Sequence, residues 1–162
     1  MLTENTSREE SDTTQVEPRG QELILAVTRV NLATRVCAAL GDAQMFAHLA
    51  QYYALVANEI ASAEGQVIKV MGDSTLLTFP PSHPSEAVEA LHMLLTKANT
   101  LWQQIDDRCQ VQVKVGIGRV VSGMLGPPGG QRLDIIGTAL NCLFKAPWGE
   151  FEVMPELARL LN

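Results

Sequence analysis

The stretch Gly65 to Phe79 places two ionisable groups of opposite sign on one short unit. Val67, Lys69 and Met71 alternate with Ile68 and Val70, a Gly72-Asp73 dipeptide follows, and Leu76, Leu77 and Phe79 come next. Two β-rich runs around a tight polar turn predict a hairpin with Asp73 at its tip. Such a tip presents a carboxylate rigidly, and Lys69, four residues back on the same hairpin, supplies a cation. The same residues also make a plain turn and an exposed strand lysine, and the stretch alone leaves both readings open. A third conspicuous charge is Arg29, which interrupts the apolar run Leu23 to Val30.

These groups have to be held by the elements around them. Leu23 to Val30 has the length and near-continuous apolarity of a central strand buried on both faces. A short helical piece spans Thr34 to Leu40. A longer helix follows, with Asp42 as its expected N-cap, Phe46, Leu49, Tyr53, Val56 and Ile60 as its apolar stripe, and Gly65 closing it. After the hairpin, Pro80, Pro81 and Pro84 break the chain. A second long helix then carries Val88, Leu91, Leu95, Ala98 and Trp102 on one face. Val111, Val113, Val115 and Ile117 alternate with Gln112, Lys114 and Gly116, the pattern of a half-buried strand, and Val120 to Leu125 extends it or pairs with it. The Pro127–Gly130 turn leads to a strand at Leu133 to Ile136. A short helix from Thr138 and an amphipathic piece from Pro155 to Leu161 close the chain. The order predicts an α+β, ferredoxin-like βαββαβ core: an antiparallel sheet with helices on one face, plus a shortened C-terminal appendage. Residues 1–20 are polar and charged, which predicts a disordered tail or linker ahead of one domain at 21–162.

Composition narrows the function classes. The chain has 162 residues, 46% of them hydrophobic and 19% charged, enough to bury a core. A net charge of -6 argues against a nucleic-acid footprint or an anionic membrane surface. No apolar run reaches transmembrane length, and three cysteines without CxxC spacing suit reduced thiols in the cytoplasm. The three histidines are scattered and suggest no histidine-based metal site.

Three segments together resemble the class III adenylate/guanylate cyclase catalytic domain. Val67-Ile68-Lys69-Val70-Met71-Gly72-Asp73 is similar to the family's strand–Lys–x–x–Gly–Asp hairpin. Val113 to Gly118 with Val121 to Gly126 is similar to its glycine-rich strand pair, and Leu133-Asp134-Ile135-Ile136-Gly137-Thr138-Ala139-Leu140-Asn141 to its Y-D-I-x-G-x-x-V-N segment. The resemblance covers roughly Leu23 to Lys145. It implies a dimer with nucleotide at the interface, one protomer holding two metal ions on two aspartates and the other supplying base-recognising and transition-state groups. By the same resemblance, Asp73 matches the second metal aspartate, Lys69 and Asp134 the pair that recognises adenine, and Asn141 the asparagine that positions the ribose.

The departures fall on the metal side. The first metal aspartate is replaced by Arg29, the glycine of the following loop by Leu32, and the transition-state arginine by Lys145, which keeps charge but lacks the planar fork. Two Mg²⁺ or Mn²⁺ ions are therefore not expected, although either metal would be required for activity. The sequence thus points to a degenerate cyclase-like domain in cytoplasmic cyclic-nucleotide signalling, a non-catalytic dimerisation or nucleotide-sensing module. ATP is favoured over GTP as its ligand. The alternative is an adenylate cyclase making cyclic AMP and pyrophosphate as one half of a heterodimer. Because the strand of Arg29 neighbours the hairpin in this topology, Arg29 is expected to pair with Asp73 and stand in for the metal.

Overall fold

β1 (Arg19–Val30) is the strand against which the rest is built, and its residues alternate between two separate cores. Ile24, Ala26 and Val30 face one side; Leu25 and Val27 face the other. The computed structural model describes residues 17–162. Strand therefore starts at Arg19, four residues ahead of the apolar run itself; the expected tail lies, through Val16, outside the described residues.

The elements that follow are α1 (Ala33–Leu40), α2 (Asp42–Ala61), β2 (Gln66–Met71), β3 (Ser74–Phe79), α3 (Pro84–Gln103), β4 (Val111–Leu125), β5 (Arg132–Ile136), α4 (Thr138–Lys145), β6 (Phe151–Val153) and α5 (Pro155–Ala158). The sheet runs β2-β3-β1-β4-β5 with antiparallel neighbours, and β6 adds to β4 in parallel. This is the expected α+β arrangement. The segment Val120–Leu125 continues β4 rather than forming a separate strand.

Helices α2 and α3 cover the first face. Met45, Tyr52, Val56 and Ile60 of α2 and Leu91, Leu94, Ala98 and Trp102 of α3 are buried there with Ile24, Ala26, Leu77 and Val113. The stripe on α2 is rotated from the one read off the sequence: Phe46 is 78% exposed, and Tyr52 rather than Tyr53 is fully buried. Asp42 does not cap α2. Gly41 holds the N-cap position, and Asp42 is the first helical residue, where its charge favours the positive end of the helix dipole. Gly65 does follow α2, for a steric reason: a Cβ there would lie 2.7 Å from Ile60 Cβ and from Phe79.

The opposite face is not bare. Leu140 and Leu143 of α4 pack on Leu25, Val27 and Leu76. Gly118 permits this approach, since a Cβ there would come within 2.4 Å of Ala139 Cβ. The C-terminal appendage also belongs to the domain: β6 extends the sheet, and Leu157 of α5 is fully buried in the first core.

Candidate functional site

Lys69 on β2 and Asp134 on β5 come from strands at opposite ends of the sheet order, yet Lys69 Nζ lies 2.5 Å from Asp134 Oδ2. The sheet is curled so that these two strands approach, as its right-handed twist allows. The second carboxylate oxygen of Asp134 accepts the Ile135 N–H at 2.8 Å, which fixes its orientation. Ile68, Leu133 and Ile135, the sequence neighbours of the pair, line a cavity of about 380 Å³ with Leu23, Thr78 and Phe79. Both residues singled out from the sequence are therefore brought together. An ammonium and a carboxylate side by side offer a donor next to an acceptor.

Asp73 sits at the β2–β3 turn as expected, with Gly72 supplying the left-handed conformation at φ 65°. Its carbonyl accepts the Val30 N–H at 3.0 Å, and the Tyr53 hydroxyl donates to the Gly72 carbonyl, so the tip is tied to both β1 and α2. The Tyr53 hydroxyl is held above its ordinary pKa, first by burial and then by the Asp73 charge. Asp73 borders an open groove of about 510 Å³ together with Thr34, Cys37 and Asp42.

Arg29 does not pair with Asp73. Among the described residues no cation lies within ion-pair distance of that carboxylate. Alternation along β1 explains the difference. Thr28 faces α2, where its hydroxyl meets Tyr52 at 2.9 Å, so Arg29 faces the other side. There its Nε donates to Gln112 Oε1 at 2.8 Å and its Cζ lies 4.3 Å from the centroid of the Trp148 ring. An acceptor and a π face satisfy the guanidinium without stripping water from Asp73.

The donor set does not fit a divalent metal. One carboxylate is present at the tip, the residue opposite its neighbour Ser74 in the sheet is a cation, and no group of three His, Cys, Asp or Glu side chains converges among the described residues. Leu32 has φ 58° and ψ 14°, in the left-handed region that favours glycine. Asn141 and Lys145 stand one turn apart on α4, both exposed, and neither reaches Lys69 or Asp134 within this chain.

The residue that sequence reading missed is Lys114. The alternation in β4 placed it outward, but it is fully buried, donating to the carbonyls of Phe144 at 2.9 Å and Ala146 at 2.8 Å. The available signal was the charge itself, set among valines on a strand beside the one that carries Arg29.

No protein-family model and no curated protein matches the chain. Solved structures do. The chain is similar to the adenylyl cyclase CyaB from P. aeruginosa over 90% of its own length and 83% of that chain, with a TM-score of 0.80 and 17% identity. A bacterial light-regulated adenylyl cyclase is matched at TM-score 0.74 and 16% identity over 89% of this chain and 46% of that one. The guanylate cyclase domain of RhGC from Catenaria anguillulae, solved in complex with GTP, is matched at TM-score 0.78 and 13% identity over 89% and 84%. At these identities the likeness establishes the fold: the chain has that of the class III adenylyl and guanylyl cyclase catalytic domains.

Proposed function

We propose that this chain, which has the fold of class III cyclase catalytic domains, is a degenerate member of that class: a non-catalytic dimerisation and nucleotide-sensing module in intracellular signalling. The observation that carries the reading is the contrast between its two half-sites. Lys69 and Asp134 form their pair at 2.5 Å, whereas the strand position that should supply a metal ligand carries a guanidinium stacked on Trp148. An ammonium donor beside a carboxylate acceptor matches a base edge that offers a ring nitrogen next to an exocyclic amine. Adenine presents that edge at N1 and its amine, and the resemblance of Lys69 and Asp134 to the adenine-recognising pair of adenylate cyclases makes ATP the favoured ligand over GTP. Asn141 and Lys145 project from α4 toward solvent, where a second copy or a related domain can use them. No helix among the described residues is long and apolar enough to cross a membrane, and the setting proposed is cytoplasmic.

Titration of the purified protein with ATP and GTP, with and without Mn²⁺, tests this. ATP binds more tightly than GTP, Mn²⁺ changes neither affinity by more than about twofold, and no cyclic AMP forms. Loss of half of a two-metal clamp removes several kcal/mol of transition-state stabilisation. Mn²⁺-dependent turnover above that of a Lys69→Ala, Asp73→Ala double variant overturns the non-catalytic reading. A second reading is favoured by the intact Lys69–Asp134 pair: the chain as the base-recognising half of a heterodimeric adenylate cyclase, with Mg²⁺ or Mn²⁺ held by the aspartates of its partner. Cyclic AMP produced only on mixing with such a partner, and lost with Lys69→Ala, selects that reading.

A further inference from the structure

Lys114 is the one charged side chain that is fully buried among the described residues. An ammonium taken out of water needs a partner for each of its three donors. Lys114 has the carbonyls of Phe144 and Ala146, and it faces the Trp148 indole with Nζ 4.1 Å from the ring centroid. Those two carbonyls lie at the C-terminal end of α4, where helix carbonyls lack intrahelical partners and the dipole is negative. The same indole carries Arg29, whose Nε is fixed by Gln112. Two cations on one ring repel each other; burial first, and the Arg29 charge second, hold the Lys114 ammonium below its ordinary pKa. Arg29 therefore gains nothing from Lys114 and is held by the indole and the amide.

We propose that Arg29 is a positioning residue that, with Lys114 and Trp148, clamps the C-terminal end of α4 to the sheet and so fixes the direction of the exposed Asn141–Lys145 face. The side chain at the position matched to a metal ligand is turned across the sheet to hold a helix. Naming Asn141 and Lys145 as the groups so positioned rests on the function proposed above; the clamp itself does not.

Hydrogen exchange of the full chain without nucleotide, read by mass spectrometry, tests the clamp. Arg29→Met keeps an apolar stem and removes the charge; Arg29→Lys keeps the charge. Arg29→Met speeds exchange of the amides of Leu143 to Ala146 about three- to tenfold, the range of a partly desolvated cation–π contact, and leaves Val111 to Val115 unchanged. Arg29→Lys stays within about twofold of the parent, and Trp148→Leu reproduces the loosening. Unchanged exchange in α4, an equal rise throughout β4, or equal loosening by Arg29→Lys and Arg29→Met overturns the proposal. If Arg29→Met does not fold, Trp148→Leu is read by the same criteria. ATP titration of the same variants separates the two layers. Weaker ATP binding with a loosened α4 supports both, and a loosened α4 with unchanged ATP affinity supports the clamp while removing α4 from the nucleotide reading.

Discussion

An ion pair whose side chains remain 39% and 23% exposed, as Lys69 and Asp134 do, adds little to folding stability, typically about 0–1 kcal/mol. The proposed recognition role asks little of the pair in stability. Lys69→Met should therefore shift the unfolding free energy by less than about 1 kcal/mol, seen in urea titration, yet weaken ATP binding at least tenfold. A loss of stability large enough to account for the lost binding would show the pair to be structural. Leu32 is the opposite case, a residue whose backbone conformation suits glycine. A non-glycine side chain at φ 58° is disfavoured by about 1–2 kcal/mol, and the greater freedom of glycine in the unfolded chain cancels part of that. Leu32→Gly is expected to stabilise the protein by roughly 0.5–1 kcal/mol, measurable as a higher urea midpoint. No gain would mean that the half-exposed Leu32 side chain makes up the strain by packing. Both positions were legible only through the family resemblance of the short motifs that carry them, since Lys69 and Asp134 stand 65 positions apart. The surroundings of Arg29 were not, since Gln112 and Trp148 lie 83 and 119 positions away along the chain (112 − 29; 148 − 29).

Among the elements, periodicity located β1 to β5 and both long helices, missed the three-residue β6, and set the stripe of α2 one residue off at Phe46 and Tyr53. Leu49, Tyr53, Val56 and Ile60 fit a helical stripe as well as Met45, Tyr52, Val56 and Ile60, and only the tertiary face decides. Thr28 and Thr75 decide it here: their paired hydroxyls, 2.6 Å apart, accept Tyr52 into the interior, and burial pushes its hydroxyl pKa up to about 12. Alternation in β4 failed at Lys114 for a similar reason, because α4 covers the face that a simple two-layer fold leaves to water. The α2–α3 packing also carries a titratable group. His48 lies 4.5 Å from Trp102 ring to ring, its Nε2 has no hydrogen-bond partner among the described residues, and burial holds its pKa below the ordinary 6.5. The unfolded chain then binds a proton near pH 6.5 that the folded chain resists, so stability present above that pH is lost as the pH falls through 6.5 and toward the lower folded value. Urea midpoints at pH 7.5 and 5.5 should differ less in His48→Leu than in the parent. Equal pH dependence in the two proteins would assign the acid sensitivity elsewhere.

For the whole molecule, the distribution of apolar surface bears on assembly. Val121, Met124 and Leu125 on β4 and Leu133 and Ile136 on β5 all remain exposed on a single hairpin, and Val67, Val70 and Met71 are exposed on β2. By strand alternation Val121, Leu125 and Ile136 share one side of that hairpin, Met124 and Leu133 the other. Exposed apolar groups gathered on one side of a strand pair are usual where a second chain docks. The half-sites give the same direction. Asn141 and Lys145 are presented to solvent, on a face that a partner could close. The protein is therefore expected to self-associate with two-fold symmetry, so that each hairpin meets the equivalent surface of its mate. Ile136→Asp and Leu125→Asp place charge on residues that are already half in water. Either should leave monomer stability within about 0.5 kcal/mol of the parent, as surface changes do, while weakening association at least tenfold in sedimentation equilibrium. Under the proposed composite site, ATP affinity should fall in parallel with the loss of dimer. A parent that sediments as a monomer at high micromolar concentration would refute the dimer. ATP binding that persists undiminished in the monomeric variants would locate the whole nucleotide site in one chain, on Lys69, Asp134 and the cavity beside them.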